Sequence, residues 1–139
     1  MNKTEKNTII NFYKHAMYSL KLSLQGNNTT EIILSYNNVK NLTALCNNLN
    51  VDITEYRKIN KEEFIKFLNT TVNKKKLNYY FSVNDLLKGD YIQLIKDTER
   101  LEATDELLYM LDTALYFNLI TENFYQLVRS EYEEILWAE

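Results

Sequence analysis

Proline is absent from the 139 residues, and glycine occurs only at Gly26 and Gly89. Ordinary usage would supply roughly seven prolines and ten glycines. Glycine provides the positive-φ corners of tight hairpins and proline presets turns, so their scarcity argues against a fold with many β-turns. Two isolated glycines also cannot build a phosphate-cradling loop. Cysteine is reduced to Cys46 and histidine to His15, which removes an internal disulfide and any soft metal site. No apolar run approaches the ~20 residues that span a bilayer. The opening segment MNKTEKNTIINFYKHAM has no sustained apolar core and no small-residue cleavage site, so a cytoplasmic location without membrane contact is expected.

What is present reads as helix. Ile9, Tyr13, Ala16, Met17, Leu20 and Leu24 recur at 3–4 spacing and predict a helix over about residues 5–25. Gly26 is expected to close it in the left-handed conformation. Asn28 with Glu31 reads as a capping box for a second helix, striped by Ile32, Tyr36, Val39, Leu42, Cys46 and Leu49, with Ser35, Asn38 and Asn41 outward. The segment from Asn50 to Ile59 is irregular. Asn60 with Glu63 caps a helix carrying Phe64, Phe67, Leu68 and Val72, and Ser82 with Asp85 is expected to cap a short one ended by Gly89. Asp90 with Gln93 opens the next, where Leu94, Leu101, Leu108 and Leu115 lie seven apart. A break near Ala103 and Thr104 is expected, because Asp105 and Asp112 fall where a continuous seam would want apolar residues. Thr121 caps a last helix with Phe124, Leu127, Val128, Tyr132, Ile135 and Leu136. The expectation is an all-α, single-domain bundle of five or six helices over residues 1–139, joined by short polar loops.

Charge is the most informative pattern. Residues 1–98 hold 14 Lys/Arg against 9 Asp/Glu, and residues 99–139 hold 2 against 10, so a net +5 is followed by −8. Within residues 57–81, Arg57, Lys58, Lys61, Lys66, Lys74, Lys75 and Lys76 meet only Glu62 and Glu63, and Tyr79, Tyr80 and Phe81 follow. Lysines neutralise phosphates and aromatic faces stack on bases, so Lys74, Lys75, Lys76, Tyr79 and Tyr80 are the candidate basic contacts, for nucleic acid or for an acidic protein. Glu131, Glu133, Glu134 and Trp137 are the candidate contacts on the acidic side, tryptophan being enriched at binding hot spots. The two poles could also pair between copies, so a homo-oligomer is a further expectation.

Catalytic chemistry has little to draw on. Cys46 lies on an apolar stripe, where a free thiol acts as a small hydrophobe, and His15 is the one histidine available as its base. No arginine precedes His15, which excludes the arginine–histidine motif of the HEPN helical ribonucleases. Neither catalytic residues, cofactor nor metal is expected. The stretch DELLYMLDTALYFNLITENFYQL, residues 105–127, is similar in pattern to the third helix, loop and fourth helix of the four-helix bundles encoded in ribosomal intervening sequences, a group that includes the accessory bundles of diversity-generating retroelements. Glu106, Leu107, Ala114, Thr121, Glu122 and Tyr125 carry the likeness, which implies a helix–loop–helix there. The retroelement proteins are basic, whereas this chain is acidic at −3. Eighteen asparagines, with abundant Lys, Ile and Tyr, match an AT-rich coding bias, which small phage, viral and mobile-element proteins share with ordinary proteins of AT-rich bacteria. Together these readings point to a non-enzymatic interaction protein, an inhibitor or accessory factor that docks a charged helical surface on a macromolecular partner, with nucleic-acid binding through 57–81 as the alternative.

Overall fold

A computed structural model describes the backbone of residues 1–26, 28–71, 79–101 and 104–137, with side chains throughout that set except at 79–81, 97–101, 104–105 and 135–137. Among the described residues the chain is all-helical, with seven α-helices where five or six were expected and no strand. They are α1 (Lys3–Gln25), α2 (Thr29–Asn48), α3 (Lys61–Thr71), α4 (Tyr79–Lys88), α5 (Tyr91–Leu101), α6 (Thr104–Tyr116) and α7 (Glu122–Trp137), with a 3-10 turn at Thr54–Tyr56. Helix α5 is described to Leu101 and α6 from Thr104; the kink or short break expected near Ala103 and Thr104 falls at residues 102 and 103, which lie outside the described residues. The chain divides into two compact units, Met1–Thr71 and Val72–Glu139.

In the first unit, α1 and α2 pack antiparallel and α3 lies against both. Two contacts set the register: the Ser23 and Ser35 hydroxyls are 2.9 Å apart, and those of Tyr13 and Thr43 are 3.4 Å apart. The apolar stripe of α1 is buried through Tyr13, Ala16, Met17, Leu20 and Leu24, and meets Ile32, Val39 and Cys46 of α2 and Phe64, Phe67 and Leu68 of α3. The irregular segment before α3 closes this core from the side, burying Val51, Ile53 and Ile59. Two details of the α2 pattern differ from expectation. Ser35 turns inward to pair with Ser23, and Leu49, at the C-terminal end of the stripe, is 38% exposed.

In the second unit α4 packs on α5, which also contacts α6 and α7, and α6 and α7 form a hairpin. Its core holds Val83 and Leu86, Leu94 and Ile95, Leu107, Met110, Leu111 and Ala114, then Phe117, Tyr125, Val128 and Tyr132. Ser82 does not cap a helix: α4 begins earlier, at Tyr79, and Ser82 is buried inside it. A Ser-x-x-Asp spacing marks a start only where the chain before it is not already helical.

The caps show local chemistry at work. Asn60 Oδ1 accepts from the Glu63 N–H at 2.7 Å while Glu63 Oε1 accepts from the Asn60 N–H at 2.9 Å, a reciprocal box. Asn28, Asp90 and Thr121 accept from the N–H groups of Glu31, Gln93 and Phe124 at 3.2, 3.1 and 3.1 Å. Asn2 caps α1 in the same way, accepting from the Glu5 N–H at 2.8 Å. Left-handed corners sit at Gly89 (φ 77°), Asn50 (φ 55°) and Asn118 (φ 58°), and in each the next residue's N–H returns to a carbonyl of the last helical turn. Gly26 departs from its expected conformation. Its φ of −86° and ψ of −173° are extended, and its N–H is shared between the Leu22 and Ser23 carbonyls at 3.2 Å each.

The two glycines should therefore respond differently to alanine. A Cβ at Gly89 meets only the Phe124 ring, at 4.0 Å, so Gly89→Ala costs the left-handed backbone penalty of about 1–2 kcal/mol. At Gly26 the Cβ lies an ordinary 3.5 Å from the Ser23 carbonyl, and Gly26→Ala should be neutral or stabilising by up to about 1 kcal/mol. Thermal melts of the two variants check this; equal losses in both would contradict it.

Candidate charged docking surfaces

A groove on the first unit brings cationic charge and aromatic surface together. One wall is the flank of α1 that carries Lys14, Tyr18 and Lys21, spaced i, i+4 and i+7 so that they lie in line. The other wall is the 3-10 turn and its exit, with Glu55, Tyr56 and Lys58, and Met17 lies between them. The turn is held by local bonds: the Asp52 carboxylate accepts from the Thr54 N–H at 3.0 Å, and the Tyr56 N–H reaches the Ile53 carbonyl at 3.0 Å. Those bonds to Thr54 hold the Asp52 carboxyl below its usual range. The Lys14 ammonium sits 4.6 Å from the centre of the Tyr56 ring, a cation–π contact that ties the walls together. A hydrogen bond to Glu55 pushes the Tyr56 phenol above its usual range. Among the described residues, Lys14, Lys21 and Lys58 have no carboxylate partner within ion-pair distance. Tyr18 is 61% exposed.

The basic stretch 57–81 is not one surface element. It runs from the exit of the 3-10 turn through α3 and on into α4, and crosses from the first unit into the second. Lys58 joins Lys14 and Lys21, while Lys66 donates to the Gln25 carbonyl at 3.3 Å, at the end of α1 where a cation complements the helix dipole. Lys74, Lys75 and Lys76 lie outside the described residues. Tyr79 and Tyr80 open α4, and their side chains lie outside the described set, as does that of Trp137.

On the second unit the acidic candidates separate by role. Glu133 accepts from Arg129 Nε at 3.2 Å, one turn away on α7. Glu131 is half-buried and Glu134 exposed, and neither has a cationic partner among the described residues. With Leu127, 44% exposed, they form an i, i+4, i+7 line on α7. Arg129 Nη1 also donates to the Tyr125 hydroxyl at 2.7 Å, which in turn donates to Asp112 Oδ1 at 2.5 Å, so one buried phenol links α6 to α7.

Burial, then the bond to Asp112, raises the Tyr125 pKa above its ordinary 10.0. A group with a raised folded-state pKa favours the folded state below its unfolded pKa, and that stabilisation is lost as the pH climbs through the folded value. Tyr125→Phe should therefore cost about 1–2 kcal/mol near neutral pH, the charged neighbours being partly solvated. It should also lessen the loss of stability above about pH 10. Urea melts at neutral and alkaline pH compare the variant with the wild type; parallel curves would refute the alkaline part.

The thiol and the imidazole face opposite ways. Cys46 is fully buried, with its pKa pushed up by desolvation, while His15 is exposed on α1. Among the described residues no three His, Cys, Asp or Glu side chains converge as a metal site would require. None of the helices there is long and apolar enough to cross a membrane. Lys14, Tyr18, Lys21 and Tyr56 were not singled out from sequence, since no charge run includes them. Their signal is a helical wheel of α1, whose flank through Lys14 carries no acid. No protein-family model, curated protein or solved structure matches the chain. Residues 105–127 form most of α6, a turn and the start of α7, the helix–loop–helix expected there.

Proposed function

We propose that the chain is a non-enzymatic interaction protein that docks a charged helical surface on a macromolecular partner, an inhibitor or accessory factor of the kind small phages and mobile elements encode. The observation that carries this is how charge divides between the two units. Residues 1–71 hold nine Lys/Arg against six Asp/Glu, a net +3, and residues 72–139 hold seven against thirteen, a net −6. Such opposed fields govern which partner approaches and how fast. The Leu127–Glu131–Glu134 line supports a protein partner: an exposed apolar anchor followed by carboxylates that have no cationic partner among the described residues suits a basic, partly apolar groove.

The test is affinity capture from the source cell with the wild type and with the Leu127→Ala, Glu131→Lys, Glu134→Lys variant. A protein retained by the wild type, released by salt and absent from the variant supports the reading. Identical retained sets would sink it.

A further inference from the structure

We infer that the groove between α1 and the 3-10 turn is a binding site for single-stranded nucleic acid. This goes beyond the docking reading, since it uses the first unit and none of the α7 carboxylates. Asn7, Asn11, Lys14, Tyr18, Lys21 and Gln25 share one flank of α1 at 3–4 spacing, over about 27 Å of helix at 1.5 Å per residue. Every one is exposed except Lys21, which is half-buried. Glu5, the one acid of α1, is nine residues from Lys14 and so projects from the opposite side of the helix. Tyr56 and Lys58 face this flank across the groove, with Glu55 as the single carboxylate in its lining.

The choice of nucleic acid over an acidic protein rests on what the groove's lining lacks. It presents ammonium groups and phenols, and its one aliphatic side chain, Met17, is buried, whereas a protein interface is centred on apolar or aromatic anchors that the partner covers. Of the exposed apolar side chains of α1, Phe12 is two residues from Lys14 and about 160° round the helix, while Leu22 borders the flank one turn beyond Tyr18 but is not among the residues that line the groove. Unpaired ammonium groups neutralise backbone phosphates, side-chain amides reach phosphate and sugar oxygens, and an exposed tyrosine offers a stacking face that tolerates any base. Lys14, held over Tyr56, is preplaced for a phosphate.

The experiment is fluorescence anisotropy of a labelled oligothymidylate of about 20 nucleotides with the full chain, over a range of salt from about 20 to 200 mM. Three lysines on phosphates predict that log K falls with log salt at a slope of roughly −2. Tyr18→Ala should weaken binding roughly five- to a hundredfold, the worth of one stacked base. Changing Lys14, Lys21 and Lys58 together to Gln should bring the slope close to zero, and changing the three to Arg should keep it. These positions are at the surface, and a matching thermal melt confirms that each variant is folded. No binding at the lowest salt, or binding unchanged in the triple Gln variant, overturns the site. So does equal or tighter binding of a labelled poly-glutamate peptide of similar length, which would make the groove an acidic-protein site. Glu131 and Glu134 stay intact throughout, so failure here leaves the α7 docking reading standing.

Discussion

Truncating Phe67 to alanine is expected to remove about 3–5 kcal/mol from the stability of residues 1–71. The ring is fully buried on the inner face of α3, and it meets Tyr36 of α2 edge to face, with centroids 4.7 Å apart and planes at 73°. Removing it leaves a cavity that the facing α1 and α2 stripes can fill only in part, and forfeits a ring pair worth about 0.5–1.5 kcal/mol beyond its area. A unit of 71 residues has roughly 4–10 kcal/mol in total. The variant should therefore keep less than about half of that stability at the middle of these ranges, read as a lowered urea midpoint by far-ultraviolet circular dichroism. A loss under about 1 kcal/mol would mean that Phe67 does not hold the three helices together.

Cys46 should be nearly inert toward alkylating reagents while the protein is folded. Its relative exposure is 0%, on the inner face of α2, and burial pushes the thiol above its ordinary 9.0, so the reactive thiolate is scarce as well as shielded. Labelling then waits for opening of the first unit. An opening free energy of about 4 kcal/mol slows it roughly a thousandfold relative to the unfolded chain. Timed alkylation followed by mass spectrometry measures this ratio. A nucleophilic cysteine would show the reverse, labelling faster than a free thiol, and that result would reopen an enzymatic reading. Phe67→Ala should abolish most of the protection, because the same opening event governs both measurements.

What the sequence made legible was local. The α1 stripe, the Asn60–Glu63 box and the Asp90 and Thr121 caps depend on residues three or four apart, and the structure shows them as written. Features that depend on distant chain were harder to read. Ser35 turns inward because Ser23, twelve residues earlier, stands opposite it in the α1–α2 register. Ser82 resembles a cap but lies inside a helix that starts three residues before it. The candidate groove was legible only in Lys58. Lys14 and Lys21 occur singly in sequence, and what aligns them with Lys58 is the 3-10 turn, placed there by the buried Val51, Ile53 and Ile59. A linear count of charge merges Arg57 with Lys76, although the boundary between the two compact units falls between them.

The left-handed asparagines also bear on how the protein ages. An asparagine deamidates when the next residue's backbone nitrogen attacks the side-chain amide to close a succinimide ring. At Asn50 that nitrogen belongs to Val51 and donates to the Cys46 carbonyl at 2.9 Å; at Asn118 it belongs to Leu119 and donates to the Ala114 carbonyl at 2.8 Å. With the attacking atom held in a helix-ending hydrogen bond and followed by a branched side chain, both corners should resist isoaspartate formation for as long as the helices stay closed. Peptide mapping after prolonged storage would find the modification first at other asparagines, and its early appearance at 50 or 118 would show that these helix ends fray. A chain with eighteen asparagines thus turns two of its sharpest corners with a chemically fragile residue, and the corner itself acts as the preservative.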